Sequence, residues 1–251
     1  MQLHPPPSLS SVALFIDVDG TLLEIAPTPL AVRVDPGLTD LLRALLLGTS
    51  GALALVSGRS IVEMDALFLP LTLAAAGLHG FERRGASGSY DCRRLPAAPA
   101  LERARAMLLE LANQHPGLLI EDKRFSLALH YRRAPQLENV VARAMTDIAA
   151  SVRPEFELQM GKMVAELRPA GSTKGVAVSE FMSEDPFRGR VPVYIGDDLT
   201  DESAFEWVNG AGGLSIAVNV SGATAARERL PSVSAVREWL AQMRGGASLR
   251  R

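Results

Sequence analysis

Two aspartates one residue apart close the segment Ala13-Leu14-Phe15-Ile16-Asp17-Val18-Asp19-Gly20-Thr21-Leu22. The apolar run before them reads as a buried parallel strand, so both acids stand at its carboxyl end, where open α/β sheets place their ligands. Such a pair can hold a hard cation and offer one aspartate as a nucleophile beside a second acid, the parts that phosphoryl transfer needs. In an extended strand Asp17 and Asp19 would share a face. A turn after Asp17 would instead turn the Asp19 carbonyl toward a metal and its side chain toward a leaving group. Two solvated loop aspartates are the plainer alternative, and the flanking strand and Gly-Thr-Leu weigh against it.

The elements that must position these acids follow from the hydrophobic pattern. Val12–Asp17, Ala52–Val56 and Leu73–Ala76 read as strands, ending at Asp17, at Ser57-Gly58-Arg59 and at Gly77-Leu78-His79-Gly80. Helices from about Pro36 to Leu47 and Ile61 to Phe68 lie between them. Alternation of this kind predicts a doubly wound parallel sheet. From Arg84 to Arg168 the pattern changes to hairpins, at Phe81–Arg84 with Ser89–Arg93, Leu118–Glu121 with Phe125–Tyr131, and Phe156–Met160 with Lys162–Arg168. Helices over Pro99–Asn113 and Gln136–Ala150 are interleaved with them. The first pattern then resumes, with a helix from Thr173, a strand Val191–Ile195 ending at Gly196-Asp197-Asp198, a helix Asp201–Val208, a strand Leu214–Val218 and a closing helix Ser232–Met243. The expected architecture is an α/β, Rossmann-like core over 1–83 and 169–251 with an inserted α+β domain over 84–168.

Composition narrows the function. The chain of 251 residues is 47% apolar with a net charge of −2, so a nucleic-acid groove is not expected. The single cysteine, Cys92, forms no internal disulfide and fits a reducing cytoplasm. Met1 to Ser11 lacks the basic and apolar regions of a signal peptide, and no run is long enough to span a bilayer. Arginines number 23 against three lysines, Lys123, Lys162 and Lys174. A bias this strong suggests that lysine persists where a compact ammonium is needed; chance retention is the competing reading.

The Asp17-Val18-Asp19-Gly20-Thr21-Leu22 string resembles the first motif of the haloacid dehalogenase superfamily. Ser57, Lys174 and Gly196-Asp197-Asp198 resemble its second, third and fourth, in order. Within that superfamily the chain is similar to the trehalose-6-phosphate phosphatases. The motifs that carry this are Val56-Ser57-Gly58-Arg59, Gly77-Leu78-His79-Gly80, Glu166-Leu167-Arg168-Pro169 with Lys174-Gly175, and Gly196-Asp197-Asp198-Leu199-Thr200-Asp201-Glu202. The likeness runs from about Ala13 to Trp239.

The resemblance implies an Mg²⁺-dependent phosphatase acting through an aspartyl-phosphate. Asp17 is then the nucleophile and Asp19 the acid and base. The ion is held by Asp17, the Asp19 carbonyl and Asp197, with Asp198 and Asp201 behind them, orienting metal-bound waters or bracing Lys174. Phosphate is bound by Thr21, Ser57, Gly58, Arg59 and Lys174. The inserted domain is then a mobile cap whose closure excludes bulk water. In it, Glu121, Lys123 and Glu166 grip sugar hydroxyls, with Lys162 beside them on the open face of its hairpin. His79 either lines the sugar site or is structural, Arg59 faces phosphate or solvent, and Ser57 has the alternative of a plain turn residue. Asp201 and Glu202 have the alternative of first-turn acids favouring the helix dipole.

The implied substrate is trehalose 6-phosphate, handled by a cytoplasmic monomer without nucleic acid or membrane partners. Sucrose 6-phosphate or mannosyl-3-phosphoglycerate phosphatases are the nearest rivals. A phosphohexomutase and a non-catalytic sugar-phosphate sensor are the others.

Overall fold

The apolar run before the two aspartates forms β1 (Val12–Ile16), and every one of its residues is buried. Val12, Leu14 and Ile16 enter one apolar cluster and Ala13 and Phe15 another, because successive side chains leave a strand on opposite faces. A strand covered on both faces must be apolar throughout, and the sequence reads as it does for that reason. The computed structural model describes residues 8–25, 32–92, 98–122, 125–161 and 163–246.

The chain divides into two compact units, Met1–Asp91 with Thr173–Arg251, and Cys92–Ser172. In the first, β1 lies between β2 (Leu53–Val56) and β10 (Val191–Gly196), parallel to both. The strand β3 (Ala74–Gly77) continues one side, and β11 (Leu214–Val218) with β12 (Glu228–Leu230) continues the other. The chain therefore runs outward from β1 in one direction and later in the other. The carboxyl ends of β1 and β10 flank the crevice that such a reversal opens.

The helices α1 (Pro36–Gly48), α2 (Ile61–Phe68) and α7 (Val233–Gly246) bury Leu42, Leu45, Met64, Phe68, Val236 and Leu240 against one face of this sheet. On the other face α5 (Lys174–Met182) and α6 (Glu202–Gly210) supply Phe181, Val178, Phe205 and Val208. Side chains cap the starts of α1 and α2. Asp35 accepts from the Leu38 amide at 3.0 Å ahead of Pro36, and Ser60 and Glu63 form a reciprocal capping box.

The unit boundaries fall later than the expected 84 and 168. The reason is that β4 (Glu82–Arg84) pairs antiparallel with β3, and β5 (Tyr90–Cys92) extends the same eight-stranded sheet. The hairpin read as the start of the insert thus belongs to the first unit. Two further boundaries shift. The stretch Leu199–Asp201 is a 3-10 turn, so α6 begins at Glu202 rather than Asp201. Edge strand β12 was not expected at all.

The second unit is an antiparallel sheet of β6 (Leu119–Asp122), β7 (Leu127–His130), β9 (Val164–Pro169) and β8 (Phe156–Gly161), in that spatial order. One face buries Leu127, Leu129, Ala165 and Leu167 against α3 (Ala98–Gln114) and α4 (Glu138–Ser151). Register then fixes what the opposite face carries. Glu121 pairs with Ala128, Ala128 with Glu166 and Glu166 with Gln159, which makes one row across the four strands with polar side chains on β6, β9 and β8. Among the described residues, no helix is long and apolar enough to cross a membrane.

Candidate active site

Backbone bonds at the carboxyl ends of β1 and β10 set the first acids. The Asp17 amide donates to the Ile195 carbonyl at 2.9 Å, which leaves the Asp17 side chain beside the Gly196-Asp197-Asp198 turn and buried. Gly20 makes this approach possible. It has a φ of +79°, and a Cβ added there would lie 2.0 Å from Asp197 Oδ2. Gly20→Ala is expected to destabilise the protein by about 1–3 kcal/mol through the strained backbone and the collision. Asp197 would be displaced and turnover lost; urea denaturation and phosphate release measure both.

Lys174 reaches the same place from the first turn of α5. Its Nζ donates to Asp17 Oδ1 at 2.9 Å and to Asp201 Oδ1 at 2.7 Å. The close packing of α5 on α6 depends on Gly175, where a Cβ would meet the Ser203 carbonyl at 2.2 Å. Lys174 is thereby 98% shielded, with 2% of its surface exposed.

Asp201 is the hub. Its Oδ1 accepts from Lys174 and from the Tyr194 hydroxyl at 2.6 Å, and its Oδ2 accepts from the Asp197 and Asp198 amides at 3.0 Å each. Asp201 is fully buried and precedes α6, so the reading of it as a first-turn acid of that helix does not describe it. Glu202 accepts from the Thr224 hydroxyl and the Ala225 amide, tying down the loop that follows β11. Asp198 is exposed and accepts from the Leu199 amide at 2.7 Å, capping the 3-10 turn.

Oxygens of Asp17, Asp197 and Asp201 lie within 4.8 Å of one another. Three carboxylates facing the one Lys174 ammonium leave an excess of two negative charges, the charge a divalent cation would balance. The titration behaviour agrees. Burial raises the Asp17 carboxyl well above the usual range despite Lys174, and the Asp201 and Asp197 charges push the same way. Burial, then the Asp201 charge, pushes Asp197 up to about 7. Burial alone would disfavour the Lys174 ammonium, but Asp17 and Asp201 outweigh it and hold its pKa raised. Because Asp201 spends both oxygens on four protein donors, Asp17 and Asp197 are the carboxylates left to face a cation.

The groups expected around phosphate form two joined turns. The Ser57 carbonyl accepts from the His79 amide and the Arg59 carbonyl from the Leu78 amide, each at 3.0 Å. Leu78 and His79 both take positive φ, 49° and 57°. The His79 ring lies against Gly58, where a Cβ would sit 2.8 Å from it. Ser57 is buried, and its Oγ accepts from the Arg59 amide at 3.2 Å. Thr21 is also buried, and its hydroxyl has no hydrogen-bond partner among the described residues. A buried orphan hydroxyl two residues after Asp19 suits an incoming anion. The Arg59 guanidinium forks onto Asp19, with Nε and Nη2 each donating at 2.6 Å.

In the second unit, Glu166 is buried and accepts from Ser126 Oγ at 2.6 Å. Glu121 lies 2.8 Å from His130 Nε2. Lys123 and Lys162 lie outside the described residues. Arg168 pairs with Glu157 at 2.8 Å. Tyr194, Ser126 and His130 escaped the sequence reading. Tyr194 reads as an ordinary core aromatic, and the other two show no signal until the strands are in register.

A mostly parallel sheet whose strand order reverses at an acid-bearing central strand, with a separate antiparallel unit inserted after β5, is the fold of the haloacid dehalogenase superfamily. A phosphatase of that superfamily from Bacteroides thetaiotaomicron shares the fold, with a TM-score of 0.61 over 98% of each chain at 19% identity. The sequence matches the family model described as Trehalose-phosphatase over residues 15–234, and the chain belongs to that family. It is 44% identical over 239 residues to the trehalose-6-phosphate phosphatase of Escherichia coli (strain K12), covering 95% of this chain and 89% of that one. A solved trehalose-6-phosphate phosphatase related protein superposes with a TM-score of 0.79 at 27% identity, covering 95% of this chain and 99% of the other.

Proposed function

We propose that this protein hydrolyses trehalose 6-phosphate to trehalose and inorganic phosphate, with Mg²⁺ as its cation and Asp17 as the phosphoryl acceptor. The observation that carries this reading is the buried Asp17–Lys174 contact at 2.9 Å, inside a site two negative charges in excess. A carboxylate nucleophile is repelled by a phosphate dianion, so catalysis must supply positive charge beside it. Lys174 is that charge on the protein side, and Asp201, to which the Tyr194 hydroxyl donates, holds it in place. Asp17, Asp197 and the Asp19 carbonyl would hold the cation, which when bound neutralises phosphate oxygens and fixes the ester in line. Thr21, Ser57 and the Gly58 amide are assigned to the remaining phosphate oxygens.

Asp17 attacks phosphorus as the ester P–O bond breaks, and Asp19 gives its proton to the departing sugar oxygen. Asp19 then takes a proton from the water that cleaves the aspartyl-phosphate, returning Asp17 free.

Sugar recognition is assigned to the polar sheet face of the second unit, through Glu121 and Glu166, with Lys123 and Lys162 from the same segments. Carboxylates fixed by Ser126 and His130 suit sugar hydroxyls, which offer donors at set spacing. Glu166→Ala is expected to lower kcat/KM on trehalose 6-phosphate by on the order of 100-fold, the scale of a lost buried polar contact, while p-nitrophenyl phosphate loses less than about threefold. Equal loss on both esters would make Glu166 structural.

The substrate itself is tested by phosphate release from trehalose 6-phosphate, sucrose 6-phosphate and glucose 6-phosphate, each with Mg²⁺ and with chelator. Metal-dependent release from the first in clear preference is expected. Preference for another ester would reassign the second unit's specificity, and no release from any would remove the hydrolase reading.

A further inference from the structure

The Arg59–Asp19 fork is an ion pair at the site that phosphate binding does not account for. Both contacts are 2.6 Å, and the two side chains are 11% and 35% exposed. Each partner is anchored through its backbone. Around Asp19, the Gly20 amide donates to the Leu23 carbonyl at 2.7 Å, and the Leu22 and Leu23 amides donate to the Val18 carbonyl at 2.9 Å each. At the other end, the Arg59 amide donates to Ser57 Oγ and its carbonyl accepts from Leu78. A planar guanidinium rooted in one fixed turn therefore sets the side-chain direction of an aspartate rooted in another. Bidentate geometry adds orientation that a point charge does not.

We infer that Arg59 is the positioning residue of the acid–base aspartate, rather than chiefly a phosphate ligand; this rests on the reading of Asp19 as proton donor given above. A guanidinium only donates hydrogen bonds, so it can keep one Asp19 oxygen as acceptor while the other oxygen carries the proton. The retained bond aims the protonated oxygen. As the Asp17–phosphorus bond forms and the ester bond breaks, that proton passes to the sugar oxygen, and Asp19 returns as a carboxylate to the full fork.

The leaving group separates positioning from phosphate binding. A sugar alkoxide needs the proton, whereas p-nitrophenolate departs without it. The value of kcat/KM reports steps up to the first irreversible one, departure of the leaving group, so later hydrolysis of the phosphoenzyme does not mask the effect. For Arg59→Gln, the ratio of kcat/KM on trehalose 6-phosphate to that on p-nitrophenyl phosphate is expected to fall on the order of 10- to 100-fold, the scale of a misaimed catalytic group. Inhibition by inorganic phosphate should stay within about threefold of the parent, less than the loss of a charge-assisted contact would cause. Arg59→Lys keeps the charge and loses the fork, so it should leave the ratio low.

Three results would overturn the proposal: an unchanged ratio, a weakened phosphate inhibition with equal loss on both esters, or full recovery of the ratio by lysine. Asp19→Asn is run beside them. If it lowers both esters equally, Asp19 is not the proton donor and the underlying reading fails. If it lowers the ratio while Arg59→Gln does not, only the role of Arg59 fails. Should Arg59→Gln not fold, Arg59→Lys decides: a low ratio supports the fork and a parental ratio overturns it.

Discussion

Asp17→Asn is expected to reduce phosphate release from trehalose 6-phosphate by at least on the order of ten-thousand-fold, with the fold retained. The amide is nearly the same size as the carboxylate it replaces, and the backbone bond from the Asp17 amide to Ile195 is untouched. What disappears is the nucleophile, because an amide oxygen does not form a stable phosphoryl intermediate. The buried site also becomes less crowded with negative charge. Asp17 sits well above its usual pKa through burial and the neighbouring Asp201 and Asp197 charges, so its neutral replacement should leave thermal stability at pH 7.5 equal or higher. Loss of turnover together with a lowered melting temperature would instead assign Asp17 to structure.

Lys174→Met carries the second large effect, and it depends on pH. Removing the ammonium leaves the buried Asp17 and Asp201 and the half-buried Asp197 without that cation, and breaking a buried pair in this way costs about 3–5 kcal/mol. The sign follows from the raised pKa values. Asp197 moves from an ordinary value near 4 to about 7 on folding, and Asp17 also rises. Between those values the folded chain binds more protons than the unfolded one, so this stability is present at low pH and is lost as pH rises through about 7. In the variant the lowering influence of Lys174 is gone and the window extends upward. The deficit against the parent should be small near pH 5.5 and large near pH 8, and millimolar Mg²⁺ should recover part of it at the higher pH. Turnover should fall by on the order of a thousand-fold or more. A deficit independent of pH and of metal would show that Lys174 acts as packing.

Much of this site is legible in the sequence because its parts stand where one element gives way to the next. An apolar strand that stops at Asp17-Val18-Asp19-Gly20, another that stops at Gly196-Asp197-Asp198, and a scarce lysine after the cap residue Thr173 each mark a position by local pattern. What the sequence withheld depends on approach between distant segments. Arg59 and Asp19 are separated by 40 residues, and only the joined turns bring them together. Tyr194 alternates as a core aromatic should, and its hydroxyl matters only because a 3-10 turn after Asp198 folds Asp201 back beneath it. That turn also explains the displaced start of α6. Asp198 and Asp201 cap the turn reciprocally, and Asp201 is used for its buried carboxylate rather than as an acid of α6. The strand β12 is three residues long with Arg229 exposed at its centre, too short and polar to show a period.

The central claim is that Asp17 accepts the phosphoryl group of trehalose 6-phosphate, and rapid acid quench tests it most directly. The protein would be mixed with Mg²⁺ and trehalose 6-phosphate labelled in its phosphate, stopped within milliseconds, and the labelled peptide mapped. Transient label on the peptide holding Asp17, chased into free phosphate and absent from Asp17→Asn, is the expected result. Free phosphate appearing at full rate with no label on the protein, or with label on another residue, would contradict it.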